Sequence, residues 1–103
     1  MGRLMYEGHT VLEVDDRTLA HLEVLIGTKL RRGEPFMFMW DDESHIGGGR
    51  STVWVHSRSS LVYRYRGRVD QINPAWVRAL ASRANSPAGL VTVDEPAPSG
   101  PTG

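Results

Sequence analysis

His45–His56 reads HIGGGRSTVWVH: three consecutive glycines stand directly before a run in which Val53 and Val55 alternate with Thr52, Trp54 and His56. Two folds compete for those glycines. A phosphate cradle converges backbone N–H groups at a helix N-terminus, so its glycines lie between a strand and a helix, as in GxxxxGK[ST] or GxGxxG. Here the alternation continues from Arg50 onward and no lysine follows the glycines. A period of two means a strand. Gly47-Gly48-Gly49 are therefore expected to reverse the chain between strands at 36–40 and 51–56. That makes the domain a set of hairpins and not a nucleotide-binding α/β fold.

The flanking segments extend the reading. PFMFMW, Pro35–Trp40, is apolar on both faces, as expected of a strand covered on both sides or lying at a partner interface. SLVYRYR, Ser60–Arg66, alternates Leu61, Tyr63 and Tyr65 with Val62, Arg64 and Arg66, and follows a short turn, Ser57–Ser60. RLMYEGHTVLEV, Arg3–Val14, is expected to form a hairpin turning at Glu7-Gly8-His9, with Leu4 and Tyr6 on one face of the first strand and Leu12 and Val14 on one face of the second.

Two segments have helical spacing. The first opens at Asp15 or Asp16 as N-cap and repeats Leu19, Leu22, Ile26 and Leu30, widened by Leu25; it ends at Gly33 and Pro35. Gly27 inside it is expected to mark close packing against a sheet. The second opens with Asn73 as N-cap and Pro74 at the first helical position, and buries Trp76, Val77, Leu80, Ala81 and Ala84. A last strand is expected at Leu90–Val93. The order is ββ-α-βββ-α-β: an α+β fold, a small two-layer domain with a mainly antiparallel sheet and two helices packed on it. One domain is expected over residues 1–93. Residues 94–103 are expected to be a disordered tail rich in Pro and Gly.

The chain of 103 residues is 40% hydrophobic and 23% charged, with no cysteine. Disulfides, thiolate metal sites and cysteine nucleophiles are excluded. No apolar run approaches the roughly 20 residues of a membrane helix, and the N-terminus has no apolar signal core. A cytoplasmic protein with no membrane contact is the expectation. Formal net charge is zero, yet residues 1–49 hold nine acids against five bases, while residues 50–83 hold seven arginines and one acid.

That asymmetry defines the candidate nucleic-acid-binding residues: Arg50, Arg58, Arg64, Arg66 and Arg68. Arg64 and Arg66 share a strand face opposite the tyrosines, an arrangement that neutralises phosphates without stacking bases. The candidate interface residues are Met37, Met39 and Trp40, since Met and Trp are enriched where proteins meet. No catalytic residue, metal ligand or cofactor is assigned. His45 and His56 stand at opposite ends of one strand, too far apart to share an ion, and Asp41-Asp42-Glu43 reads as a solvated loop.

DDRTLAHLEVLIGTKLRRGEPFMF, GGGRSTVWVH and RANSPAGLVTV together resemble a family of short actinobacterial proteins of unknown function. Its members are often automatically labelled ATP-dependent DNA ligase. The resemblance covers nearly all of the chain except the tail, and implies the same small α+β domain. The label would imply a lysyl-adenylate formed at a KxDG motif. Lys29 is the only lysine, and it is followed by Leu30-Arg31-Arg32, with arginine where that motif needs aspartate. The expected function is a small non-catalytic binding module that engages DNA or RNA backbone through the arginine-rich hairpin. The alternative is a protein-interaction or dimerisation domain, with self or another protein as partner. A ligase-related activity is the third reading.

Overall fold

A computed structural model describes residues 1–42 and 49–97. The chain begins with the hairpin of β1 (Gly2–Tyr6) and β2 (His9–Val14). Glu7 and Gly8 both have positive φ, 53° and 83°, the conformation whose twist suits a two-residue hairpin. A non-glycine residue there costs about 1 kcal/mol. Two hydrogen bonds offset it: the Glu7 N–H donates to the Ser60 carbonyl at 2.9 Å, and the Ser60 N–H donates to the Glu7 carboxylate at 3.0 Å. The same bonds bring β5 (Leu61–Arg64) beside β1, where it pairs antiparallel from Arg3↔Arg64 to Tyr6↔Leu61.

The strands divide into two sheets. One has the order β2-β1-β5; the other is the antiparallel pair β3 (Phe36–Asp42) and β4 (Gly49–Val55). After β4 the chain crosses at His56–Ser60 from the second sheet to the first. The Tyr6 hydroxyl ties the sheets together by donating to the Trp54 carbonyl at 2.9 Å. The β3–β4 ladder runs out to the pair Asp42↔Gly49; the turn expected at Gly47-Gly48 falls within residues 43–48, which lie outside the described residues.

Helix α1 (Asp16–Arg31) covers the inner face of the first sheet, and α2 (Pro74–Ala84) packs against α1 and β3. Their expected stripes are the ones that face inward. Leu19, Leu22, Leu25 and Ile26 of α1 join Trp76, Leu80 and Ala84 of α2, with Leu4, Phe36, Phe38, Val55 and Leu90, in one core. Asn73 accepts a hydrogen bond from the Ala75 N–H at 3.0 Å, as its position before Pro74 predicts.

Three expectations are corrected. Gly27 meets nothing within 4 Å of where a Cβ would stand, so it marks no close approach. The close approach is at Gly2, where a Cβ would lie 2.7 Å from Leu19 and 2.9 Å from Asp16. The strand expected at Leu90–Val93 is a single parallel bridge, Phe38↔Leu90. Finally, β3 is not covered on both faces. It is flanked edgewise by β4 and Leu90, but Met37 on its outer face is 38% exposed. The fold is a small α+β domain, with two helices and five strands in two antiparallel sheets among the described residues.

Candidate functional site

The outer face of the first sheet carries a charged row. Register sets Glu13, Arg3 and Arg64 side by side across β2, β1 and β5. Arg3 Nε lies 3.4 Å from Glu13 Oε1, with both side chains more than half exposed, so this ion pair contributes little. Two arginines directly opposite one another are unfavourable without a counter-charge. Arg66 and Arg68 follow beyond the end of β5, where the Asp16 carboxylate accepts from the backbone N–H groups of Arg66 and Gly67, the latter at 2.7 Å. Among the described residues no side chain holds the guanidinium of Arg64, Arg66 or Arg68.

The other two predicted arginines lie elsewhere. Arg58 stands in the turn between the sheets, and Arg50 at the far end of β4, about 17 Å from Val55 at about 3.3 Å per residue. Continuity in sequence therefore does not make one basic stripe, because the chain changes sheet at His56–Ser60. Arg64, Arg66 and Arg68 share a region with Arg3; Arg50 belongs to a different surface.

That second surface is the outer face of the β3–β4 hairpin. Trp54 is 50% exposed and pairs across the strands with Met37. Met39 is half-buried beside Thr52. Trp40 has the opposite parity: it packs against the core, its ring 5.9 Å from that of Phe38. The structure thus keeps Met37 and Met39 on the outer face and puts Trp54 where Trp40 was expected. The alternation of Val53 and Val55 already pointed Trp54 outward; with those valines in the core, no other side was left for it.

The backbone of β4 completes this surface. The Met37 carbonyl accepts from the Leu90 N–H at 2.8 Å, and the Met39 N–H donates to the Leu90 carbonyl at 2.9 Å. Both residues therefore turn their backbone groups away from β4, and their antiparallel partners Trp54 and Thr52 turn theirs away from β3. Arg50, partner of Asp41, follows the same parity. The Trp54 carbonyl is taken by Tyr6. The N–H and C=O of Arg50 and Thr52 have no partner among the described residues. The β3 edge is closed by Leu90; the β4 edge is open.

A third cluster clasps the helices to the C-terminal segment. Arg17 holds Glu95 through two hydrogen bonds, at 2.8 and 2.7 Å, and donates to the Gln71 carbonyl at 2.9 Å. Asn73 donates through Nδ2 to Glu95 and to the Pro96 carbonyl, each at 3.0 Å. His21, fully buried, accepts at Nε2 from the Asn73 N–H at 2.8 Å and meets the Arg17 carbonyl at Nδ1, 2.7 Å away. Its proton therefore resides on Nδ1. The Trp76 ring lies 4.4 Å from the His21 ring and donates from Nε1 to the Val93 carbonyl at 2.8 Å. Residues 95 and 96 are thus held on the body of the domain; residues 98–103 lie outside the described residues. His21 was legible only as a histidine beside an apolar stripe, and Glu95 as part of a tail.

The clasp has a pH signature. The hydrogen bonds of Arg17 and then Asn73 lower the Glu95 carboxyl from 4.5 to about 2. A carboxyl depressed by folding stabilises the fold above its ordinary range and loses that contribution as pH falls. The melting temperature is therefore expected to drop as pH falls from 4.5 toward about 2. Glu95→Gln is expected to melt lower than wild type at pH 7 and to show less of the acid drop, by differential scanning calorimetry; an unchanged profile would refute the clasp.

Beside the clasp, an open depression of ≈ 390 Å³ is lined by Asp16, Arg17, Arg68, Val69, Asp70 and Gln71. Asp16 and Arg17 are engaged by the bonds just described, which leaves Arg68 and Asp70, of opposite charge. On the other side of α1, Lys29 is buried: its ammonium donates to Asn85 at 2.5 Å and to Glu34 at 3.3 Å. The amine clamps the C-terminal ends of both helices. Burial and then the Glu23 carboxylate push the Tyr65 phenol up, and its hydroxyl donates to Glu23 at 2.5 Å. Among the described residues, no group of three or more His, Cys, Asp or Glu is placed to hold a metal ion. Likewise among them, no helix is long and apolar enough to cross a membrane.

Fold and surfaces together define a small α+β domain with an arginine-bearing sheet face and an open-edged apolar hairpin. The chain belongs to the family described as Domain of unknown function (DUF7882), which matches residues 1–95, in keeping with the short domain of unknown function that the resemblance implied. No curated protein and no solved structure matches the chain.

Proposed function

We propose that this domain is a protein-interaction module that accepts an extended strand along β4, with Trp54 and Met37 as apolar anchors beside it. The observation that carries the reading is the pair of unpartnered backbone positions, Arg50 and Thr52, next to a half-exposed tryptophan. An added strand gains affinity from main-chain hydrogen bonds and specificity from side chains flanking the edge. Tryptophan is among the residues whose truncation costs most at interfaces, about 2 kcal/mol or more, which is roughly 30-fold in affinity.

The test is affinity capture from the native cell with three baits: wild type, Trp54→Ser and Thr52→Pro. Thr52→Pro removes only an N–H that faces away from β3, so the hairpin keeps its ladder. Partners retained by wild type are expected to be lost from both variants. A partner set that survives both substitutions would sink the proposal.

A second reading is favoured by a separate observation, the arginine row. Arg64 opposite Arg3, with Arg66 and Arg68 beyond it, supports binding of a phosphate backbone by charge alone. Fluorescence anisotropy with short DNA and RNA over a salt series measures it. Replacing Arg64 and Arg66 by alanine is expected to weaken binding to all sequences alike and to reduce the salt slope by about 2. Ligase-related activity has the least support, since the one lysine able to carry an adenylate is buried between Glu34 and Asn85.

A further inference from the structure

We infer that the strand received by β4 is β4 of a second copy of this chain, paired antiparallel about a two-fold axis at Ser51. This rests on the interaction-module reading and names its partner.

The geometry of the edge selects the register. The Tyr6 hydroxyl sits on the Trp54 carbonyl, so an incoming strand that preserves this bond pairs over the stretch before Trp54. The free groups there belong to Arg50 and Thr52. An antiparallel copy centred on Ser51 sets Arg50 opposite Thr52 and Thr52 opposite Arg50. Each pair exchanges two N–H···O=C bonds, so all the free groups of both residues are satisfied in both copies. The contact is self-complementary and closed, as a two-fold interface must be. Arg50 then stands diagonal to Trp54 of the second copy, within reach of a cation–π contact.

Three features favour a second copy on this strand. The pairing covers the open β4 edge in both copies and turns β3–β4 into a four-stranded sheet. Its outer face then joins Met37 and Trp54 of both copies. The formal net charge of the chain is zero, so two copies approach without overall repulsion. The other edges are poorer templates: β5 is four residues ending in Arg64, and the β1–β2 ladder is interrupted by a register shift between Leu4 and Met5. With seven residues, β4 is the longest open edge among the described strands, and Arg50 is its one charged residue.

Sedimentation velocity of the full chain between about 1 µM and 1 mM, the range of a weak to moderate interface, reads the association. Hydrogen exchange at both ends of that range locates it. A concentration-dependent dimer is expected, with the Arg50 and Thr52 amides slowed at least about tenfold at high concentration. The Ser51 and Val53 amides, which face β3, are expected to keep their rates. Thr52→Pro is expected to remain monomeric with a wild-type circular dichroism spectrum; should it not fold, the exchange pattern decides alone. A strict monomer at the highest concentration overturns the inference, and so does a dimer in which Arg50 and Thr52 exchange as in the monomer. If capture from cells still depends on Trp54 in either case, the interaction-module reading survives with a foreign strand as partner.

Discussion

Asn73→Ala is expected to destabilise the domain by about 1.5 to 2.5 kcal/mol, a large share of the roughly 5 to 15 kcal/mol that holds a domain of this size together. The side chain does two jobs. Its carbonyl caps α2 through the Ala75 N–H, and its amide donates to Glu95 and to the Pro96 carbonyl. Loss of a cap costs typically about 1 kcal/mol. Losing the hydrogen bond from the buried amide to the Pro96 carbonyl adds about 0.5 to 1.5 kcal/mol, while the exposed Glu95 carboxylate turns to water. The backbone bond from Asn73 to His21 persists in the variant, so the helix interface is retained and the loss is confined to the cap and the C-terminal segment. Asn73→Ser separates the two jobs, since a serine caps but cannot reach Glu95. Urea denaturation at neutral pH is expected to place it between wild type and alanine. A serine variant as unstable as the alanine variant would mean that the cap contributes nothing.

Much of this fold is legible locally. The Val53–Val55 alternation, the leucine stripe of α1 and the Asn73-Pro74 helix start each depend on residues a few positions apart, and each forms the element it predicts. What is not legible is set by distant partners. Leu61 and Tyr63 point inward whether β5 pairs with β4 or with β1, so alternation does not reveal two sheets. The choice falls to Glu7 and Ser60, which are 53 positions apart. His21 looks peripheral on its own helix and is fully buried because Asn73 and Trp76 close over it. The candidate surface divides in the same way. Exposure of Trp54 follows from its neighbours in sequence. An open edge depends on which strands do not come to β4, and no local pattern encodes that. The arginines of residues 50–68 look like one group only while the chain is read as a line.

Gly89→Ala is expected to cost about 3 kcal/mol or more, and to change association as well as stability. Gly89 has a φ of +91°, and a Cβ there would lie 2.8 Å from Met37 Cβ and 2.9 Å from the Met37 carbonyl oxygen. The positive φ alone costs an alanine about 1 to 2 kcal/mol. The contacts are with β3 itself, so relief requires the 89–90 segment to move off the strand. That movement breaks the Leu90 bonds to Met37 and Met39 and draws the fully buried Leu90 out of the core, worth about 1.5 to 3 kcal/mol for a leucine. Gly27→Ala is the matched control. It adds the same methyl in the interior of α1 with nothing within 4 Å, and is expected to stabilise by up to about 1 kcal/mol. The functional consequence follows from the edge that Leu90 closes. With Leu90 displaced, the Met37 carbonyl and the Met39 N–H become free, and the β3–β4 sheet presents an open edge on both sides. A module with one open edge pairs once and stops, whereas one with two can extend. Gly89→Ala is therefore expected to sediment as species larger than a dimer at concentrations where wild type gives a dimer at most. A destabilised variant that never passes a dimer would show that Leu90 guards the core but not the edge.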